Sequence, residues 1–168
     1  MAVTYGLVSP AQGNRIWDAL LAKLKQVGYT RFDLGLPGNL IPIHRSDYVD
    51  LNKRYGAPDK EDDWDGFQIY ENGGASANHA FFVIQALYEL GRIKDGDSIL
   101  LPMLKGFEAG NFQGRGANGL TNDWRAWDET PHGYEGLLSD GYMTLLCGLT
   151  RNGGARFTPN VRLGDKKP

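Results

Sequence analysis

Two apolar stretches constrain this chain more than anything else in it. Residues 80–90 carry Ala80, Phe81, Phe82, Val83, Ile84, Ala86, Leu87 and Leu90, and residues 137–149 carry Leu137, Leu138, Tyr142, Met143, Leu145, Leu146, Cys147 and Leu149. Wound as helices, both are apolar on nearly every side, and such a helix belongs inside a protein. Each is preceded by a stretch that is apolar on one side only. Over 10–27, Ile16, Trp17, Leu20, Leu21, Leu24 and Val27 fall on one stripe, with Arg15, Asp18, Lys23, Lys25 and Gln26 off it. That i, i+3/i+4 spacing predicts an amphipathic helix. Ser9 and Pro10 read as its N-cap and first position, and Gly28 as its stop. Over 97–109, Ile99, Leu100, Leu101, Met103, Leu104 and Phe107 predict a second one-sided helix, with Pro102 either in the first turn or at a kink. The apolar helices then span 77–91, capped by Ser76 or Asn78, and 137–150.

Two classes of helix in alternation imply two layers, inner helices wrapped by outer ones. The expected fold is mainly α, built of antiparallel helical hairpins with long loops, one domain over 1–168. Residues 28–75 read as mostly irregular, since Pro37, Gly38 and Pro42 break any helix, with a short extended piece over 40–43. Residues 152–168 read as a short extended tail that frays at its end.

Between the last two helices lies 111–141, with two tryptophans, a tyrosine, six glycines and a mix of acids and amides. Structureless loops of this length are uncommon in compact domains and are often functional. Flat rings beside carboxylates and amides suit a polyhydroxylated ligand, the rings stacking on its apolar faces; Trp124 and Trp127 could equally be buried rings that pin the loop. Asp128, four residues after Trp124, could bind hydroxyls or cap a turn. Trp64 lies in the acidic run 59–65, which reads as a solvated loop or as a cation or sugar site. Helix N-termini carry partial positive charge, so Glu71 and Glu135, each just ahead of an inner helix, are expected near one face.

Composition excludes several classes. The formal charge of −2, with acids and bases interspersed, gives no basic surface for nucleic acid or membrane. No apolar run reaches the length of a membrane span. Cys147 is the only cysteine, so no internal disulfide or thiolate zinc cage forms; it reads as a core residue. His44, His79 and His132 show no metal-ligand spacing, and the acidic run lacks an EF-hand pattern. The segment 114–119, GRGANG, matches neither glycine-rich nucleotide motif, and no cofactor or metal is expected. Residues 1–20 lack a leader pattern, so a cytoplasmic location is the default, with a secreted or periplasmic one open if a leader lies upstream.

The alternation of helices, with YENGG (70–74) before one inner helix and WDETPHGYEG (127–136) before the next, resembles the six-hairpin glycosidases. These are (α/α)6-barrel enzymes that include glucoamylase, trehalase, glucosidase-I-like enzymes and bacterial relatives of debranching type. The resemblance covers about residues 5–150 and matches the last third of the barrel. It implies a glycoside hydrolase acting on a glucan or glucoside by inversion, with Glu135 as the base that activates water. The partner acid of the family lies upstream of the matched region, so here it would come from Glu71, Asp65 or Asp128, or from another subunit. Trp64, Asn72, Arg115, Trp124, Trp127, His132 and Tyr134 would then contact the sugar. Two other readings remain: a non-catalytic carbohydrate-binding or structural fragment of a larger glycosidase, and a polysaccharide lyase using His132 and Tyr134 with Arg125. A partial barrel leaves apolar flanks uncovered, so self-association, or association with the missing barrel portion, is expected through helices 77–91 and 137–150.

Overall fold

The computed structural model describes residues 1–43, 67–68, 72–112, 122–135 and 139–153, with the backbone alone for 122–123 and 131–135. Its elements are α1 (Pro10–Gln26), a 3-10 turn η1 (Phe32–Leu34), β1 (Leu36–Pro37), β2 (Ala75–Ser76), α2 (Ala77–Glu89), α3 (Ile93–Ala109), β3 (Asn122–Arg125), β4 (Pro131–Glu135) and α4 (Ser139–Arg151). The protein is mainly helical, with a small antiparallel sheet in the order β1-β2-β3-β4. Among the described residues no helix is long and apolar enough to cross a membrane.

The chain starts α1 where its sequence says it should. Ser9 Oγ accepts from the Gln12 N–H, and the Gln12 side chain accepts from the Ser9 N–H at 2.8 Å, a reciprocal capping box ahead of Pro10. For α2, the cap is Ser76, whose hydroxyl accepts from the His79 N–H at 3.3 Å. The third helix begins earlier than expected, at Ile93 rather than 97, and Pro102 lies inside it. Its first turn contains Gly96, which reads as a breaker in sequence. A Cβ at Gly96 would sit 2.4 Å from the Tyr88 ring, so the glycine admits a tight α2–α3 contact there.

Side-chain bonds give the helix directions. Asn78, at the start of α2, donates its N–H to Asp140 Oδ1 at the start of α4 (3.0 Å), and Gln85 Nε2 donates to Thr150 Oγ1 near the end of α4 (3.2 Å). The two therefore run parallel. Tyr88, late in α2, and Arg151, last in α4, both donate to Asp97 near the start of α3 (2.9 and 2.7 Å), so α3 runs against both. The Gly13 end of α1 meets Leu90, beyond the end of α2, while Leu24 shares a cavity wall with His79 and Phe82; α1 is antiparallel to α2.

The core gathers around α2. Ala77, Ala80, Phe81, Ile84 and Leu87 are buried against Trp17 and Leu24 of α1, Ile99, Leu100 and Met103 of α3, and Cys147 of α4. Burial of one such aliphatic side chain contributes about 1.5–3 kcal/mol. Cys147 is the core residue its setting implies, and burial pushes its thiol up to about 12, which leaves it without thiolate character at neutral pH. No large apolar side chain of α2 is exposed, whereas Tyr142, Leu145 and Leu149 of α4 remain 60%, 58% and 46% exposed on one stripe. Of the two flanks expected to be bare, only that of α4 is.

Two irregular stretches differ from expectation. The strand lies at Leu36–Pro37, paired with β2, and none lies over 40–43. Ile43 instead meets the Asn72 side chain, which accepts from its N–H (2.8 Å) and donates to its C=O (3.0 Å). The region 111–141 is not all loop either: 122–125 and 131–135 form a hairpin. Leu137, Leu138 and the tail over 154–168 lie outside the described residues.

The guanidiniums of Arg31 and Arg151 hold carboxylates in ion pairs that make stability depend on acid. Arg31 grips Asp33 through two bonds (2.9 and 2.6 Å) and also reaches Glu129; Arg151 holds Asp97. The guanidinium neighbours hold both carboxyls below the ordinary range. A carboxyl depressed in the folded state contributes stability above its unfolded pKa, near ~3.9, and loses it as pH falls through the folded value. The urea midpoint is therefore expected to fall below about pH 4, and to fall less steeply in Arg31→Met. An unchanged acid limb in that variant would contradict the assignment.

Candidate functional site

The sheet is assembled in front of the paired N-termini of α2 and α4. Strand β2 runs directly into α2, and β4 ends three residues before α4. Between them, β3 pairs with β2 through Ala75 and Arg125, and with β4 through Trp124 and His132, Arg125 and Pro131, and Asn122 and Glu135. The backbone of Glu135 thus belongs to the end of a strand rather than to a loop. That strand leads to the start of α4, and Asn72 lies just ahead of β2 and α2. The helix pair sets the common end: Asp140 accepts from Asn78, and Asn78 Nδ2 donates to Ser139 Oγ at 3.1 Å.

The turn between β3 and β4 closes over 126–130. The Ala126 N–H donates to the Thr130 carbonyl (3.0 Å), and the Glu129 N–H to the Ala126 carbonyl (3.0 Å). Asp128 Oδ1 accepts from the Thr130 N–H (2.9 Å) at an exposed tip; its carboxylate caps the turn. Glu129 sits at φ 77°, a left-handed conformation that costs a non-glycine residue energy. Its pairing with Arg31, which also donates to the Trp127 carbonyl at 3.3 Å, fastens the turn to η1.

Both tryptophans act as pins. Trp124 is buried. Trp127 donates its indole N–H to the Gly73 carbonyl (2.8 Å) and meets the rings of Tyr29 and Phe67 edge-on, 5.0 and 5.3 Å between centroids. Its half-buried ring still borders solvent. Asn72 points inward to Ile43, and its amide also accepts from Asn39 (3.3 Å). His132, Tyr134 and Glu135 are placed by backbone in β4. Trp64, Asp65, Glu71 and Arg115, with His44, lie outside the described residues. His79 stands in the first turn of α2, with Nδ1 3.3 Å from the Leu36 carbonyl oxygen.

Two charges at this end are buried: Asp140, not among the candidates drawn from the sequence, and Arg125, which enters there only as the basic partner in the lyase reading. Asp140 is 1% exposed and Arg125 2%. A fully buried charge is costly unless it is paired or hydrogen-bonded, so both are built features of the region between sheet and helix starts. The signal for Asp140 was its place as the only acid in the last apolar helix, at its first turn. Arg125 sits between two tryptophans in a stretch without strand periodicity, and no pattern in the sequence marks it as buried. Among the described residues no group of three or more His, Cys, Asp or Glu could hold a metal ion. Comparison with protein-family models, with curated proteins and with solved structures finds no match.

Proposed function

We propose that the chain is the C-terminal portion of an (α/α)6-barrel glycoside hydrolase. It would act on a glucan or glucoside by inversion, at the end of the fold where α2 and α4 begin. The observation that carries this reading is the parallel pair α2 and α4 with α1 and α3 reversed around it. It is the relation between inner and outer helices that such a barrel requires. The sheet brings β4, ending at Glu135, to the same end as the segment before β2. Glu135 takes a proton from the attacking water. The acid, drawn from Glu71 or Asp65 or from a second subunit, protonates the leaving oxygen at hydrogen-bond distance, its carboxyl some 6.5–9.5 Å from that of Glu135; Asp128, the other candidate, caps the turn at the far end of the hairpin from Glu135 and does not suit that separation. Trp127, His132, Tyr134, Trp64 and Arg115 contact the sugar, whereas Asn72 and Trp124 support the site from inside the fold.

A second reading is favoured by the bare stripe Tyr142, Leu145 and Leu149: a non-catalytic sugar-binding or structural piece that completes a larger body, or a second copy, through α4. One sample separates the two. Reducing ends released from α- or β-glucans support hydrolysis. Calorimetric binding of glucan oligosaccharides without release supports the second reading. Neither binding nor release by a folded chain contradicts hydrolysis and the sugar-binding form of the second reading, and light scattering on the same sample tests the structural form through association.

A further inference from the structure

Two cavities lie end to end along the seam between α1 and α2. The first, about 150 Å³, runs from Gly13 on α1 and Leu90 just past α2 to Leu20, Phe82 and Val83. The second, about 280 Å³, is walled by those same three side chains and runs on to Leu24, His79 and the edge strand β1. The order is the one that antiparallel helices impose: from the first cavity to the second, residue numbers rise along α1 and fall along α2. The two share their middle wall and form one track. At one end a Cβ on Gly13 would sit 2.9 Å from the Val3 side chain and 3.1 Å from that of Leu90, so the helices close on each other there. At the other end stand Pro37 and Gly38. The track lies on a face of α2 other than the one that Asn78 and Gln85 turn to α4.

The walls are apolar. Trp17 offers its ring alone, since its indole N–H donates to Asp95 at 3.0 Å. His79 is the one wall residue with a titratable side chain, and its Nδ1 faces the Leu36 carbonyl oxygen at 3.3 Å. Ile16 is 54% exposed, and Leu20, Phe82 and Val83 are half-buried, so water meets apolar surface along the track. Covering such surface with hydrocarbon is favourable in proportion to its area.

Length and volume fit the same occupant. From Gly13 to Leu24, and from His79 to Leu90, each wall covers about 16 Å at 1.5 Å per residue. An extended hydrocarbon with bonds of ~1.5 Å advances about 1.3 Å per carbon, so about twelve carbons span the track. At roughly 30 Å³ per heavy atom, the two volumes hold about fourteen. Room for about twelve atoms in line and about fourteen in all means a track one chain thick. A peptide helix, about 10 Å across, does not fit in it.

We propose that the track between α1 and α2 binds the unbranched hydrocarbon chain, about ten to fourteen carbons long, of a lipid-like small molecule whose polar head stays in solvent. The proposal does not rest on the glycosidase reading.

The test is titration of the whole chain with 1-hexanol, 1-octanol, 1-decanol and 1-dodecanol below their solubility limits, and with cyclododecanol. Binding is read by calorimetry and by methyl chemical shifts of Leu20 and Val83, with Val83→Phe beside wild type. The alkanols are expected to bind one to one, each added CH2 tightening binding by about two- to fourfold. Cyclododecanol has the carbons of dodecanol in a ring too wide for one chain's track, and is expected to bind at least tenfold more weakly. Val83→Phe places a ring where the two cavities meet. It is expected to weaken dodecanol by tenfold or more and to leave hexanol, which fits one cavity, within about threefold of wild type. Affinity that does not rise with chain length would overturn the proposal. So would cyclododecanol binding as tightly as dodecanol, or dodecanol affinity undiminished in folded Val83→Phe. The wild-type series and the ring isomer decide the matter alone if that variant does not fold.

Discussion

Glu135→Gln is expected to lower glucan turnover by about 10²–10⁴-fold, the contribution of a positioned general base, while leaving the chain folded. That loss corresponds to roughly 3–5 kcal/mol of barrier at about 1.4 kcal/mol per tenfold. The amide keeps the shape of the carboxylate and cannot accept the proton of the attacking water, so the loss should fall on kcat with little change in KM. Glu135 ends strand β4, and its ladder partner Asn122 meets it through the backbone. The substitution leaves that backbone pairing in place, so the variant is expected to keep the wild-type circular dichroism. Turnover retained in the variant would remove Glu135 from the mechanism and move the search for the base to Glu71 and Asp128.

The largest structural effect is expected at Gly106. This residue lets α3 lie directly on η1: an added Cβ would sit 2.2 Å from the Asp33 carbonyl oxygen and 3.2 Å from the Phe112 ring. The opposing atom is backbone, and its segment is pinned. Asp33 is held by Arg31 and by Asn111 Nδ2 at 2.9 Å, so it has little room to retreat. Alanine gains about 1 kcal/mol over glycine from helix propensity, but overpacking a fitted contact costs typically 1–3 kcal/mol and sometimes more. With the contact this close, the clash wins. Gly106→Ala should lose about 3 kcal/mol in urea unfolding, a large share of a total near 5–15 kcal/mol, and about 6–12 °C in Tm. Gly148→Ala is the control, because no atom of the described residues lies within 4 Å of its added Cβ; it should gain up to about 1 kcal/mol. Equal stabilities for the two variants would contradict the packing described for α3.

What could be read in the sequence was what depends on neighbours along the chain. Ser9, Pro10 and Gln12 cap α1 as their spacing says, and the stripe from Trp17 to Leu24 faces inward. The all-round apolar character of 80–90 placed α2 at the centre. What could not be read depends on partners far away. Gly96 looks like a breaker until Tyr88 is seen against it. Residues 122–135 have no strand periodicity, and their pairing comes from Ala75 of β2 and from a turn fastened by Arg31; strand preference is set by such context. The same holds at the site. That Glu135 lies just ahead of the last helix was legible, but not that a strand delivers it. Nor was it legible that Asn72 turns inward to Ile43, or that Asp140 joins the two helix starts.

The most direct measurement is proton NMR of the first product formed when the folded chain is mixed with a glucan oligosaccharide it binds. The account predicts a new reducing end that appears with the anomeric configuration opposite to that of the bond cleaved, and its absence in Glu135→Gln. A product that retains the configuration, or no product from a folded chain that binds the sugar, would contradict it.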